Sequence, residues 1–323
     1  MSGRREFLLG FGPALALPSG LCAQLQAGRP ARIGLLRPSP IPARSLAGLR
    51  RGLAIKGYTE GLDYVFVFGF GDGDVRGLPK LAATLVADGA DIIVTEGDVS
   101  TQAARAASDT IPIVMATSPD PLKSGLIDSL SRPGRNVTGH SSQAAEISGK
   151  LLELATEIVP GVRRVAHIAN RTTWDLFGAE TTAAARSLGL DLVPIDLVLP
   201  EVEAALQQAA AQAKVAIVRG RPFFSSDDAR STVERAAAHR LPVIYESRDF
   251  VEIGGLLALG VDVPDLYVRV ATYLDKIFKG AKPADLPVEQ PTKFELAVNM
   301  KTAQALGIKI PEAILVRADE VIE

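Results

Sequence analysis

The stretch that decides the fold is Asp91-Ile92-Ile93-Val94, which is followed by a loop, a helical pattern and a second apolar run, Ile111-Pro112-Ile113-Val114. The same order of elements returns in Val215-Ala216-Ile217-Val218 and Leu241-Pro242-Val243-Ile244. Apolar runs without polar alternation are typical of strands that are buried on both faces of a parallel sheet. Strands of this kind, alternating with helices, predict an α/β protein in which one unit is used twice.

The repeat extends toward the N-terminal side of each copy. Arg32-Ile33-Gly34-Leu35-Leu36 leads to a helix that ends at Lys56-Gly57-Tyr58, and Arg164-Val165-Ala166-His167-Ile168 leads to one that ends at Leu188-Gly189-Leu190. Glycine directly after a helical pattern is a common helix stop. We therefore predict two doubly wound, Rossmann-like lobes with a hinged cleft between them, and a change of lobe near residues 139–142.

The apolar patterns place individual elements. The predicted strands cover residues 32–36, 64–68, 91–95, 111–116, 165–169, 190–195, 215–218 and 243–245. The predicted helices cover residues 46–56, 78–88, 101–108, 147–159, 179–188, 202–213 and 227–239.

Composition excludes several classes of function. The net charge of -2 and the lack of any lysine or arginine run leave no basic surface for a nucleic acid, so no nucleic-acid partner is expected. The single cysteine, Cys22, can form neither an intrachain disulfide nor a cysteine-based metal site. The three histidines, His140, His167 and His239, lack metal-ligand spacing, so no metal or cofactor is expected.

The first 23 residues have the composition of a signal peptide. Arg4 and Arg5 precede an apolar run over residues 7–17, and small residues lead to a predicted cleavage after Ala23. The run is shorter than the roughly 20 residues that span a bilayer. These features predict export to the periplasm, by either the twin-arginine or the general route. Lipidation of Cys22 is an open alternative, although Leu21 is large for the position before a lipidated cysteine.

Ligands of open α/β sheets bind beyond the carboxyl ends of the strands, and two facing lobes bring both sets of ends to one cleft. The predicted ligand-binding residues follow such strand ends: Arg37, Ser39, Gly97, Asp98, Val99, Thr117, Ser118, Asp120, Ser141, Asn170, Arg171, Arg219, Phe223, Tyr245 and Glu246. Backbone N–H groups near Gly97 suit a ligand carboxylate, whereas Asp98 and Asp120 suit an ammonium group. Phe223 and Tyr245 suit an apolar part of a ligand. The alternative for each residue is a helix cap, a turn or a core position.

No motif indicates catalysis. Residues 139–143 begin like the nucleophile elbow of a hydrolase, but Gln143 stands where the second glycine is needed. The glycines of residues 69–74 have the wrong spacing for a dinucleotide-binding loop, and the segment lacks the closing glutamate of a calcium loop. We therefore predict a binding protein without enzymatic activity.

Motifs along the whole chain carry a family resemblance. They are the two-arginine leader, residues 32–36, Gly52-Leu53, Gly57-Tyr58, 78–82, 111–114, 132–139, 239–245, 254–256 and 276–294. The sequence closely resembles the ABC-transporter substrate-binding family that includes tryptophan-binding members. The resemblance implies a type I periplasmic-binding fold with three crossings between lobes, in which residues 31–140 and 254–288 form lobe 1 and residues 141–253 and 289–323 form lobe 2. It also implies hinged closure on a small ligand and transporter permease subunits as partners.

The chain departs from the family pattern where the ligand is expected. Residues 96–100 replace a usual Gly-Thr-Pro stretch, and residues 118–121 replace a usual Gly-Asp-Pro stretch. Arg219 and Arg221 add positive charge to the second lobe, which favours an anionic or carboxylated ligand; an amino-acid-like or aromatic ligand is the family expectation.

Three other functions share parts of this pattern. A sensor subunit that presents its ligand to a membrane receptor would have the same sequence features. An α/β enzyme would need a catalytic motif, and a sugar-operon-type repressor would need a DNA-binding helix-turn-helix where the leader stands.

Overall fold

The computed structural model describes residues 29–71, 73–142, 144–198, 201–220, 224–291 and 294–323, and only the backbone of residues 144 and 145. The predicted signal peptide and Phe223 lie outside the described residues, as does Arg221. Within the described part, every helix is too short or too polar to cross a membrane.

The first lobe is built on a parallel sheet of five strands in the order β2-β1-β3-β4-β5. Its strands are β1 (Ala31–Arg37), β2 (Tyr64–Phe70), β3 (Ile92–Glu96), β4 (Ile113–Ser118) and β5 (Val137–Ser141). Its helices from this part of the chain are α1 (Ala43–Ile55), α2 (Leu78–Ala87) and α3 (Asp98–Ala107). Buried aliphatic side chains cover both faces of the sheet, as the uninterrupted apolar runs predict.

The second lobe is built on a seven-stranded sheet. Its strands are β6 (Arg164–Ala169), β7 (Asp191–Asp196), β8 (Val215–Val218), β9 (Val243–Tyr245), β10 (Leu257–Gly260), β11 (Glu295–Asn299) and β12 (Glu320–Ile322). Its helices are α4 (Ala144–Ile158), α5 (Arg171–Ser187), α6 (Val202–Gln212), α7 (Ser226–Ala238), α8 (Arg248–Glu252), α10 (Met300–Leu306) and α11 (Glu312–Arg317). The helix between α8 and α10 in the chain, α9 (Val263–Phe278), belongs to lobe 1.

The two sheets confirm that one unit is used twice. The second sheet contains the order β7-β6-β8-β9-β10, which matches β2-β1-β3-β4-β5 of the first. Strands β11 and β12 extend only the second sheet, and β11 is antiparallel to β10. Since the matching strands are parallel, both sheets direct their carboxyl ends to the cleft.

One predicted boundary needs correction. Lobe 1 was expected to resume at residue 254, but β10 belongs to the second sheet, where it pairs with β9 and β11. The buried apolar run Leu257–Gly260 forms the fifth matching strand of the second sheet. The chain therefore returns to lobe 1 only after Gly260. The next helix, α9 (Val263–Phe278), packs with the core residues of β1 and α1 in lobe 1.

The other two crossings lie side by side. The chain leaves lobe 1 after β5, and it leaves again before β11. The backbone N–H of Ser141 donates to the carbonyl of Glu289 at 2.9 Å, and His140 pairs with Glu289 in an isolated parallel bridge. These neighbouring segments, together with residues 261–262, connect the lobes.

Candidate functional site

A cavity lies between the lobes at the carboxyl ends of the strands. The lining residues from lobe 1 are Glu96, Gly97, Asp98, Val99, Thr117 and Pro119. Those from lobe 2 include Ser142, Thr172, Thr173, Arg219, Gly220 and Glu246. Strand ends and helix N-termini of both lobes thus form one site, where the topology predicts a ligand.

A buried ion pair lies behind the lobe 1 wall. The guanidinium of Arg37 lies 3.0 Å from the Glu96 carboxylate, and both side chains are almost inaccessible to solvent. The hydroxyl of Tyr267, on α9, donates to the same carboxylate at 2.8 Å. Arg37 also donates to the carbonyl of Pro40 at 2.5 Å. Arg37 therefore compensates Glu96 rather than lining the cavity.

A second buried pair lies in lobe 2. Arg219 Nε is 3.0 Å from Glu246 Oε2, and the backbone N–H of Gly220 donates to Oε1 of the same carboxylate at 2.7 Å. The Arg219 guanidinium also donates to the Ser148 hydroxyl and lies 5.4 Å from the centre of the Phe177 ring. The positive charge of Arg219 is therefore already compensated within its own lobe.

Asp98 is the first residue of α3 and directly follows Gly97, whose φ of 84° is accessible to glycine at low cost. Its carboxylate accepts hydrogen bonds from the hydroxyls of Ser118 and Ser124. The side chain is buried although it lines the cavity. Burial raises the pKa of Asp98 above its ordinary value, and the nearby charge of Asp120 acts in the same direction.

Part of the cavity lining is apolar. It consists of Ile147 from α4, Leu176 and Phe177 from α5, and Val261 and Val263 around the start of α9. Sequence reasoning missed these five residues because it considered only the loops that follow strands. The missed signal was the helical period, since Thr173, Leu176 and Phe177 lie three and four positions apart.

Several predicted contacts prove to have structural roles. Asn170 caps α5 by accepting from the Thr173 backbone N–H at 2.9 Å, so this helix begins well before the expected residue 179. Tyr245 is buried in the lobe 2 core, where it stacks on Phe250 at 4.6 Å. The hydroxyl of Ser39 donates to the carbonyl of Phe224 at 3.1 Å.

Other predicted residues lie beside the cavity without lining it. Ser118 donates to Asp98, and the Asp120 carboxylate accepts from the Lys123 backbone N–H at 3.0 Å. Ser141 is hydrogen-bonded to the neighbouring crossing segment through its backbone. The predicted residues that do line the cavity are Gly97, Asp98, Val99, Thr117, Arg219 and Glu246.

Arg171 supplies a test of this placement. Its side chain is 80% exposed and pairs with Asp175 at 2.9 Å on the solvent face of α5. We expect Arg171→Met to change the free energy of unfolding by less than about 0.5 kcal/mol, since exposed pairs contribute little. Ligand affinity, measured by calorimetry, should be unchanged. A large loss of affinity would return Arg171 to the binding site.

Buried histidines are not arranged for acid–base chemistry at this site. Burial lowers the pKa of His140 to about 4 and that of His167 to about 3, so both rings are neutral at pH 7. His167 packs against Trp174 at 5.3 Å. Within the described ranges, histidines and carboxylates form no group suited to a metal ion.

The lobes contact each other directly through side chains. Lys123 of lobe 1 donates to the Glu180 carboxylate at 2.6 Å and to the Leu176 carbonyl, both on α5 of lobe 2. In addition, Arg44 of α1 in lobe 1 pairs with Glu252 of α8 in lobe 2. The described arrangement is therefore a closed one.

Two lobes of matching topology, closed over a site at their strand ends, define a type I periplasmic-binding fold. The chain belongs to the ABC transporter substrate binding protein family, whose model matches residues 40–322. Proteins of this family bind substrates rather than transform them, so the chain is a binding protein and not an enzyme.

Individual relatives agree with this assignment. The tyrosine-binding protein of Clostridioides difficile is 26% identical over 266 residues, which cover 81% of this chain and 76% of the relative. An ABC domain from Streptococcus pneumonia, solved in complex with L-Trp, has a TM-score of 0.81 and 27% identity, covering 91% of this chain and 100% of that one. A conserved domain protein from Vibrio cholerae has a TM-score of 0.82 and 28% identity over the same shares.

Proposed function

We propose that the chain is the periplasmic solute-binding component of an ABC importer and that it holds an amino-acid-like ligand with an aromatic or apolar side chain between its lobes. The observation that carries the proposal is the closed cavity, whose lining combines apolar side chains such as Leu176 and Phe177 with charged and polar ones. Ligand sites of this kind use apolar surface for affinity and a few polar groups for orientation.

The relatives support this class of ligand. One is named for tyrosine, and another was solved with L-Trp. Phe177 and Leu176 present apolar surface to the cavity, where an aromatic or branched side chain would be removed from water. The carboxylated ligand predicted from Arg219 and Arg221 fits less well, because Arg219 is paired with Glu246.

Closure couples binding to transport. A ligand shifts an open–closed equilibrium only through contacts that differ between the two states. The cavity walls come from both lobes, so a ligand would touch all of them only when the lobes are closed. The permease subunits would then recognise the closed form. The predicted leader, residues 1–23, supports delivery to the periplasm.

The proposal is tested by ligand screening of the chain that begins at Gln24. Amino acids, aromatic acids, purines and short-chain carboxylates are added in thermal melts, and hits are measured by calorimetry. A ligand at a hundredfold excess over its Kd stabilises the native state by about 2.7 kcal/mol. We expect aromatic or large apolar amino acids to raise the Tm. A flat response to the whole panel would contradict the proposal.

A matched pair of variants locates the binding site. Leu176 lines the cavity, whereas Leu188, at the end of the same helix, is exposed. Leu176→Arg should abolish the calorimetric signal because it places a long charged side chain in the cavity, and Leu188→Arg should preserve it. Equal binding by both variants would place the ligand elsewhere. Loss of uptake of the identified ligand in a strain lacking the protein would separate transport from a sensory role.

A further inference from the structure

The described charges around the cavity do not cancel completely. Arg37 neutralises Glu96 in lobe 1, and Arg219 neutralises Glu246 in lobe 2. Asp98 also lines the cavity, and among the described residues no lysine, arginine or histidine forms an ion pair with it. The described part of the cavity wall therefore has one carboxylate without a cationic partner.

Burial makes this carboxylate costly. Asp98 is 3% exposed, and its described partners, the hydroxyls of Ser118 and Ser124 and the backbone N–H of Asp120, are all neutral. Its position in the first turn of α3 provides a helix dipole, which offsets part of the cost. A buried carboxylate usually has a cationic partner, because hydrogen bonds from neutral groups replace hydration incompletely. A cation entering the cavity would supply that partner.

Thr117 provides an independent observation. Its side chain is 6% exposed and lines the cavity, yet its hydroxyl oxygen has no hydrogen-bond partner in the described part of the chain. A buried hydroxyl without a partner loses the hydrogen bonds that it makes in water. A donor on a ligand would restore one of them.

The two groups belong to adjacent backbone segments. The N–H of Gly97, just before Asp98, donates to the carbonyl of Thr117 at 2.9 Å. Ser118, the next residue along β4, donates to the Asp98 carboxylate. Two hydrogen bonds thus join the start of α3 to the end of β4. The Asp98 carboxylate and the Thr117 hydroxyl therefore belong to the same wall of the cavity.

Building on the proposed function, we propose that Asp98 and Thr117 form the subsite for the ammonium group of the ligand. A primary ammonium has three donors, which can serve the Asp98 carboxylate and the Thr117 hydroxyl at once. The substrate class is then α-amino acids and related primary amines, and the ammonium group is required for tight binding. A ligand with a carboxylate but without an ammonium group would lie next to Asp98. The described residues around the cavity would offer it no uncompensated cation.

The test compares ligands that differ in one charged group. Calorimetry is performed at pH 7 on the chain from Gln24 with L-tryptophan, tryptamine and indole-3-propionate, and with L-tyrosine, tyramine and 3-(4-hydroxyphenyl)propionate. For the set whose amino acid binds, the amine should retain measurable binding. The deaminated acid should bind at least about 30-fold more weakly than the amino acid, as expected when a buried charge loses its partner.

Variants then assign the effect to this wall. Asp98→Asn should weaken binding of the amino acid and of the amine by at least about 30-fold. The same variant should bind the deaminated acid as tightly as the wild type does, or more tightly. Asp109→Asn, an exposed carboxyl of lobe 1 that does not line the cavity, should change affinity less than about threefold. Thr117→Val should weaken the amine, and Thr117→Ser should restore its binding because the hydroxyl returns.

The change in discrimination between amine and acid distinguishes an ammonium subsite from a merely structural residue. Equal losses for both analogues in Asp98→Asn, or a deaminated acid that binds wild type as tightly as the amino acid, would overturn the subsite while leaving the binding function intact. No binding of either amino acid or amine by wild type would instead overturn the proposed amino-acid ligand itself, and the subsite with it. Thermal melts of each variant verify that it is folded.

Discussion

Gly52→Leu is expected to lower the free energy of unfolding by about 3 kcal/mol or more. A Cβ atom at Gly52 would lie 2.3 Å from the carbonyl oxygen of Val268 and 2.8 Å from Cβ of Ala271, both on α9. Gly48, one turn earlier, has a similar contact with the carbonyl of Pro264. Helices α1 and α9 therefore approach at backbone distance, and no rotamer of leucine relieves the clash.

Chemical denaturation with circular dichroism measures this effect. Leucine has a higher helix propensity than glycine, so a loss of stability has to come from packing. The control is Gly77→Leu, because Gly77 has an ordinary negative φ and a Cβ added there would have no heavy atom within 4 Å. If Gly52→Leu unfolded at the same denaturant concentration as the wild type, α1 and α9 would not be in close contact at this position. Because α9 follows the return of the chain from lobe 2, the variant also tests the second crossing, at residues 261–262.

Arg37→Met is expected to destabilise the protein by about 3–5 kcal/mol, the usual cost of leaving one partner of a buried ion pair uncompensated. Glu96 would then keep the hydrogen bond from the Tyr267 hydroxyl but lose the charge of Arg37. Urea denaturation at pH 7 gives the change. The double variant Arg37→Met, Glu96→Gln should recover a large part of the loss, because it removes both charges together.

An exposed pair provides the control for this prediction. Arg76 is 88% exposed and pairs with Asp74, so Arg76→Met should change stability by less than about 1 kcal/mol. A similarly small effect of Arg37→Met would show that the buried pair contributes nothing. A double variant less stable than Arg37→Met would show that the uncompensated charge is not the cause of the loss.

The regular apolar elements were predictable from local patterns. The eight predicted strands all occur, from β1 through β4 and from β6 through β9, with ends that differ by a few residues. Strand β5 was missed because Val137–Ser141 contains threonine, glycine, histidine and serine rather than a continuous aliphatic run. Strand β10 was missed because Leu257–Gly260 has only four residues between turns. In both cases the neighbouring strands of the sheet, rather than local propensity, decide the conformation.

The sequence by itself determined the α/β class, the duplicated unit and the sheet edges at which a ligand is predicted, because these follow from local periodicity and the order of elements. Only the tertiary structure decided which charges are compensated. Arg219 meets Glu246 across 27 positions, and Tyr267 meets Glu96 across 171 positions. Such pairs depend on strand order and on the return of α9 to lobe 1, which no local pattern encodes. Arg219 therefore changed from a candidate anion site to a paired residue, and of the two carboxylates predicted to suit an ammonium group, Asp98 lines the cavity and Asp120 does not.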